Sequence, residues 1–123
     1  MSSSSRLGPS DMELNLFAGV AVSDLRRAVA WYDSLFGDVE TFEPNDVEHV
    51  WTLAEHRHVY VEVDPEHAGH AKATLFVDNL DRFLTAAADR GIRPAWEETY
   101  DNGVRKALFS DPDGNEIGIG GSG

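Results

Sequence analysis

Apolar and mixed positions alternate from Met12 to Val22. Met12, Leu14, Leu16, Ala18, Val20 and Val22 share one parity, the period of a strand with one buried face. The period then changes. Leu25, Ala28, Val29, Tyr32, Leu35 and Phe36 follow helical spacing, Ser23 or Asp24 offers an N-cap oxygen ahead of them, and Gly37 supplies the left-handed residue that ends a helix. A weaker copy follows over 72–91. Ala73, Leu75 and Val77 alternate, Asp78 or Asn79 caps, Leu80, Phe83, Leu84 and Ala87 make the stripe, and Gly91 stops it. The matching stretches Val22-Ser-Asp-Leu-Arg-Arg and Val77-Asp-Asn-Leu-Asp-Arg lie roughly half a chain apart, the spacing of an internal duplication.

After each helical pattern come three short strand patterns. In the first copy they fall at 39–44, 48–53 and 58–63, separated by Pro-Asn-Asp and Ala-Glu-His-Arg turns. In the second they fall at 93–100, 104–110 and 116–119, the first two joined by Asp101-Asn102-Gly103, where Asn-Gly tolerates the positive φ of a tight turn. Asp111-Pro112-Asp113-Gly114-Asn115 reads as the next hairpin turn. The expected fold class is α+β: two βαβββ modules, 12–64 and 71–120, forming curved mixed sheets around a cleft with the helices on the outer face. Residues 65–70 read as a linker, 1–11 as a disordered Ser-rich leader or cloning remnant, and 121–123 as a tail.

Length and composition narrow the function. The 123 residues make one domain. There is no cysteine, hence no disulfide frame, thiolate nucleophile or cysteine zinc site. No apolar run is long enough to span a bilayer and no signal-peptide pattern opens the chain, so the expected setting is cytoplasmic, without membrane. A net charge of −12 argues against nucleic acid, since phosphate binding needs clustered Lys and Arg. It suits either simple solubility or the steering of a cationic ligand. No serine triad, P-loop or dinucleotide fingerprint is present.

The element Val20-Ala-Val-Ser-Asp-Leu-Arg-Arg-Ala-Val-Ala-Trp-Tyr, followed by Phe109-Ser-Asp-Pro-Asp-Gly-Asn-Glu-Ile, resembles the vicinal oxygen chelate superfamily over roughly 12–120. That group holds glyoxalases, extradiol dioxygenases, fosfomycin resistance enzymes and bleomycin resistance proteins. The resemblance implies sheets curled around a cleft and a homodimer. In the enzymes of the group it implies a divalent metal held by His or Gln near the first strand of each half and by Glu on the last strand of each half. Those positions fall here on Phe17, Lys72 and Gly118, and only Glu62 fits. Phe and Gly cannot ligate, and Lys binds a metal only as the neutral amine. The expectation is no metal and no cofactor.

Strand parity then places Phe17, Ala21, Tyr60, Glu62, Lys72, Thr74, Phe76 and Gly118 in the cleft, with Trp51, Trp96, Glu98 and Tyr100 as further wall candidates. Aromatic walls with few charges suit a planar or amphiphilic small molecule; the alternative is that the tryptophans are core or dimer contacts. The expected ligand-binding set is Phe17, Trp51, His58, Tyr60, Glu62, Lys72, Phe76, Trp96 and Tyr100. Three alternatives stay open: a His-His-Glu metal site from His49, His56 or His58 with Glu62, acid–base chemistry by His58, Glu62 or Lys72, and a Lys72–Glu62 ion pair where the metal would sit. The leading reading is a metal-free small-molecule-binding protein of the bleomycin-resistance type that sequesters an antibiotic or other natural product. The runner-up is a glyoxalase-like or dioxygenase-like enzyme.

Overall fold

The computed structural model describes residues 8–122. Strand β1 (Leu16–Val22) leads into helix α1 (Leu25–Phe36), then β2 (Glu40–Asn45), β3 (Glu48–Ala54) and β4 (Arg57–Val63). The pattern restarts with β5 (Lys72–Phe76), α2 (Leu80–Asp89), β6 (Trp96–Thr99), β7 (Val104–Ser110) and β8 (Glu116–Ser122). The first half forms a mixed sheet of order β1-β4-β3-β2 and the second a mixed sheet of order β5-β8-β7-β6. In each, the first strand runs parallel to the last and the rest are antiparallel. The two βαβββ modules therefore have one topology, as the repeat predicts.

Local chemistry sets the helix ends. Asp24 Oδ1 accepts from Arg27 N at 3.1 Å, and Asn79 Oδ1 accepts from Arg82 N at 3.0 Å. Each cap satisfies a backbone N–H that the helix itself leaves unpaired. Gly37 closes α1 at φ 74°. A Cβ there would also stand 2.8 Å from Arg90 Cζ, and the Arg90 guanidinium donates to the Ser34 and Leu35 carbonyls at 2.7 and 3.1 Å. The end of α2 is thus tied to the end of α1 through the missing side chain.

The helices cover one face of each sheet, and one continuous core lies beneath them. Val20, Val22, Tyr32, Leu35, Trp51 and Val61 from the first module join Leu80, Ala87, Phe109, Ile117 and Ile119 from the second. The other parity of every strand is left on a face without a helix. All the large exposed aromatic residues, Phe17, Phe42, Phe76, Trp96 and Tyr100, lie on those open faces.

Some boundaries differ from the expected ones. β1 begins at Leu16 rather than Met12, and β6 spans only Trp96–Thr99. The glycine tail is not a tail: β8 continues to Ser122, with Gly120 and Gly121 buried, because a Cβ at Gly121 would press within 3.0 Å of Leu80 and the Val77 carbonyl. Within the expected leader, Pro9–Asp11 form a 3-10 turn; residues 1–7 lie outside the described residues. Among the described residues no helix is long and apolar enough to cross a membrane.

Candidate functional site

The two modules are held together by the turn after β7, which the sequence pattern marks only as a hairpin. Asp111 is 5 % exposed and Asn115 is fully buried. Asp111 Oδ1 accepts from the backbone of Asp113 and Asn115, each at 2.9 Å, while Oδ2 accepts from Tyr32 Oη and Asn115 Nδ2, each at 2.8 Å. Asn115 Nδ2 also donates to the Ala21 carbonyl at 2.9 Å, and its Oδ1 accepts from Ala71 N at 2.9 Å. Asp113 accepts from the Ser23 hydroxyl and amide, and the Arg27 guanidinium donates to the Pro112 carbonyl at 2.9 Å. Burial, then the adjacent Asp111 carboxylate, pushes the Tyr32 phenol well above its ordinary value. Such a network fixes β1 and α1 against β8 and so fixes the relation of the two open faces.

The first open face is aromatic and internally satisfied. Phe17 stacks on His58 with ring centroids 4.2 Å apart and meets Tyr60 edge-on at 6.4 Å. His58 is half-buried; its Nδ1 is 3.0 Å from Thr52 Oγ1 and its Nε2 is 3.3 Å from Asn15 Oδ1. With the proton on Nε2, His58 donates to Asn15 and accepts from Thr52, so the neutral imidazole has both nitrogens engaged. The ring of Tyr60 lies over Gly19, where a Cβ would come 2.5 Å from its hydroxyl oxygen.

The second open face is charged. Lys72 pairs across the ladder with Glu116 at 3.6 Å, and both are solvent-accessible. Phe76 lies over Gly120, where a Cβ would stand 2.9 Å from its ring. Lys106, half-buried on β7, crosses Gly118: a Cβ on that glycine would meet Lys106 Cε at 2.5 Å, Thr74 Oγ1 at 3.2 Å and Lys106 Nζ at 3.4 Å. Glu98 is the register partner of Lys106, yet its carboxylate accepts instead from the Tyr100 hydroxyl, and that bond raises the Tyr100 phenol above its ordinary value.

Several expected site residues stand elsewhere. Trp51 is fully buried, packs against Tyr32 and Phe36, and donates from Nε1 to Asp33 Oδ1 at 2.9 Å, so it belongs to the core rather than to a ligand wall. His49 pairs with Val61 on the helix-covered face, 3.0 Å from Glu43, and cannot join His58 and Glu62 on the open face. His56 takes a φ of 64° in the β3–β4 turn, 3.1 Å from Asn15. Lys72 reaches Glu116, not Glu62. Glu62 is half-buried on the open face and opposite Ala21.

Aligning the caps Asp24 and Asn79 corrects one further expectation. Phe17 then corresponds to Lys72, Gly19 to Thr74 and Ala21 to Phe76. Through the strand registers, the counterpart of Gly118 is Tyr60, and Glu62 corresponds to Gly120. Glu62 is one same-face step away from the position assigned to it.

A cavity of about 640 Å³ lies where the two modules meet. It brings together His58 with Thr74 and Phe76, but most of its wall is of the opposite parity, with Leu16, Ala18, Ala73, Leu75 and Val77. The remaining expected residues, Phe17, Tyr60, Glu62, Lys72, Trp96 and Tyr100, lie on the open faces outside that cavity wall.

These residues do not fit a divalent cation. The Lys106 stem occupies the space over Gly118, Phe17 is stacked on an imidazole, and Lys72 is engaged with Glu116. Among the described residues no three His, Asp or Glu side chains converge as a ligand set.

Comparison with known proteins bears on the fold and the family. The chain is 53 % identical to a glyoxalase / bleomycin resistance protein from Catenulispora acidiphila, with a TM-score of 0.86 over 90 % of this chain and all of the other. A bleomycin-binding protein complexed with bleomycin is 17 % identical with a TM-score of 0.71, covering 89 % of this chain and 98 % of that one. A lactoylglutathione lyase from Agrobacterium tumefaciens is 18 % identical with a TM-score of 0.71, covering 86 % and 91 %. At such identities these last two show the fold alone. No curated protein matches. The family model described as Glyoxalase/Bleomycin resistance protein/Dioxygenase superfamily matches residues 14–119, and the chain belongs to that superfamily.

Proposed function

We propose that this protein is a metal-free, small-molecule-binding member of its superfamily that sequesters an aromatic or amphiphilic natural product, such as an antibiotic, in the cytoplasm as a homodimer. The observation that carries the reading is the placement of every large exposed aromatic on the open faces, with the Lys106 side chain lying over Gly118, where a metal ligand would be needed. Exposed aromatic surface on a rigid sheet gives affinity by burial and stacking, and a single polar group sets orientation. Met12, Leu14 and Leu16, each more than half exposed, add an apolar edge suited to a second copy. The enzyme reading has less support, because both nitrogens of His58 are already engaged by Thr52 and Asn15.

The test joins metal analysis of protein purified without chelator to a thermal-shift panel containing bleomycin, cationic aromatics, diketo compounds and aromatic acids. The expected result is no stoichiometric transition metal and a rise in apparent stability with at least one aromatic compound. A stoichiometric metal, or turnover of a diketo compound, would contradict the proposal. Light scattering is expected to give twice the mass of one chain.

A further inference from the structure

We infer that Lys106, with the Thr74 hydroxyl beside it and the glycine strand beneath it, is a subsite for an anionic group, a carboxylate or similar oxyanion, carried on an aromatic body. This rests on the small-molecule-binding reading above and names the class of ligand.

The placement of Lys106 is built into β8. Gly118 is buried, and any side chain there would displace the lysine stem, since its Cβ would fall 2.5 Å from Lys106 Cε. That same point is 3.4 Å from the ammonium and 3.2 Å from Thr74 Oγ1, so two donors converge over one backbone position. A flexible surface lysine has no such bed.

The charge on Lys106 is also unmatched. Two acids share its face and both have other partners: Glu116 pairs with Lys72, and Glu98 accepts from Tyr100. Arg105, its neighbour in sequence, points to the helix side and is taken up by Asp81 and Glu97. Among the described residues Lys106 makes no salt bridge. A half-buried ammonium with free donors gains more from a charge-assisted bond to a ligand anion than from partial hydration.

The surroundings supply the rest of the ligand's recognition. Phe76, 68 % exposed over Gly120, and Trp96, 49 % exposed across from Leu108, offer flat apolar surface on the same face. The acidity of the whole chain does not decide the sign here, because screening limits distant charges to about 10 Å while the ammonium is in contact.

Three probes alike in ring and different in charge test the assignment: naphthoate, naphthylmethanol and naphthylmethylammonium, titrated calorimetrically into the full chain. Naphthoate is expected to bind at least about ten-fold tighter than the other two, the gain of one charge-assisted contact. Lys106→Met is expected to remove that advantage, weakening naphthoate far more than naphthylmethanol, and Lys106→Arg to keep most of it. Gly118→Ala, which moves the ammonium without deleting it, should weaken naphthoate binding with little change in melting temperature. If naphthylmethanol or naphthylmethylammonium binds as tightly as naphthoate, or Lys106→Met leaves naphthoate affinity intact, the subsite is overturned and the binding function stands. If no probe binds and the thermal-shift panel is silent, the binding reading fails and the subsite with it.

Discussion

The two open faces share a backbone plan and differ in which strand fills it. In the first sheet the inner strand β4 carries the bulk: His58 faces Phe17, and Tyr60 covers Gly19 on the edge strand. In the second the roles reverse. β5 carries Lys72, Thr74 and Phe76, while β8 presents Gly118 and Gly120. A glycine on an inner strand leaves room for a side chain from the strand beyond it, and Lys106 from β7 uses that room. The two modules thus share one topology, while one face carries a self-stacked aromatic pair and the other a lysine lying over glycine.

The turn after β7 holds the two faces in fixed relation, and its central carboxylate is Asp111. Asp111→Ala leaves four donors without their acceptor, including the buried Tyr32 hydroxyl and Asn115 amide. The expected cost is about 3–5 kcal/mol in urea unfolding, with both faces affected together. An effect below about 1 kcal/mol would mean that the modules are held by apolar packing alone.

Tyr32→Phe should cost less, about 1–2 kcal/mol at neutral pH, because one donor is lost and Asp111 keeps three others. It also has a pH signature. The folded phenol titrates above its unfolded value, so its contribution is fully present below about pH 10 and is lost as pH rises further, when only the unfolded chain ionises readily. Wild type should lose stability from about pH 10 upward more steeply than Tyr32→Phe. Parallel alkaline slopes would show that Tyr32 is not the group responsible.

Equivalent positions on the two faces give a finer contrast. Phe17→Ala removes a stacked pair and should cost about 0.5–1.5 kcal/mol, while Lys72→Ala removes an exposed ion pair and should cost less than about 0.5 kcal/mol. Urea unfolding of both variants checks the order. If Lys72→Ala costs as much as Phe17→Ala, the second face is held by its charges as firmly as the first is by its stack.

How far the sequence could be read divides along the same lines. Period, caps and glycine stops are local, so both modules and both helices were legible, and parity within β4 correctly grouped His58, Tyr60 and Glu62. Carrying parity from one strand to the next requires the register of the turn. The ladder shifts between Thr52 and Ala54, and Trp51, opposite Val59, falls on the core side. The lean of Lys106 over Gly118 and the reach of Asp111 to Tyr32 depend on contacts between distant segments, for which periodicity carries no signal. One signal was available: an Asp and an Asn bracketing a Pro-Asp-Gly turn can bond their own backbone, which marks a turn with more to do than reverse the chain.

The asymmetry between the faces is tested most directly by mapping amide, indole and lysine side-chain nitrogen chemical shifts of the full chain during titration with naphthoate. Changes centred on Thr74, Phe76, Trp96, Lys106 and Gly118, with Lys106 Nζ shifting in step, are the expected result. Changes confined to Phe17, His58 and Tyr60, with the second face silent, would contradict it.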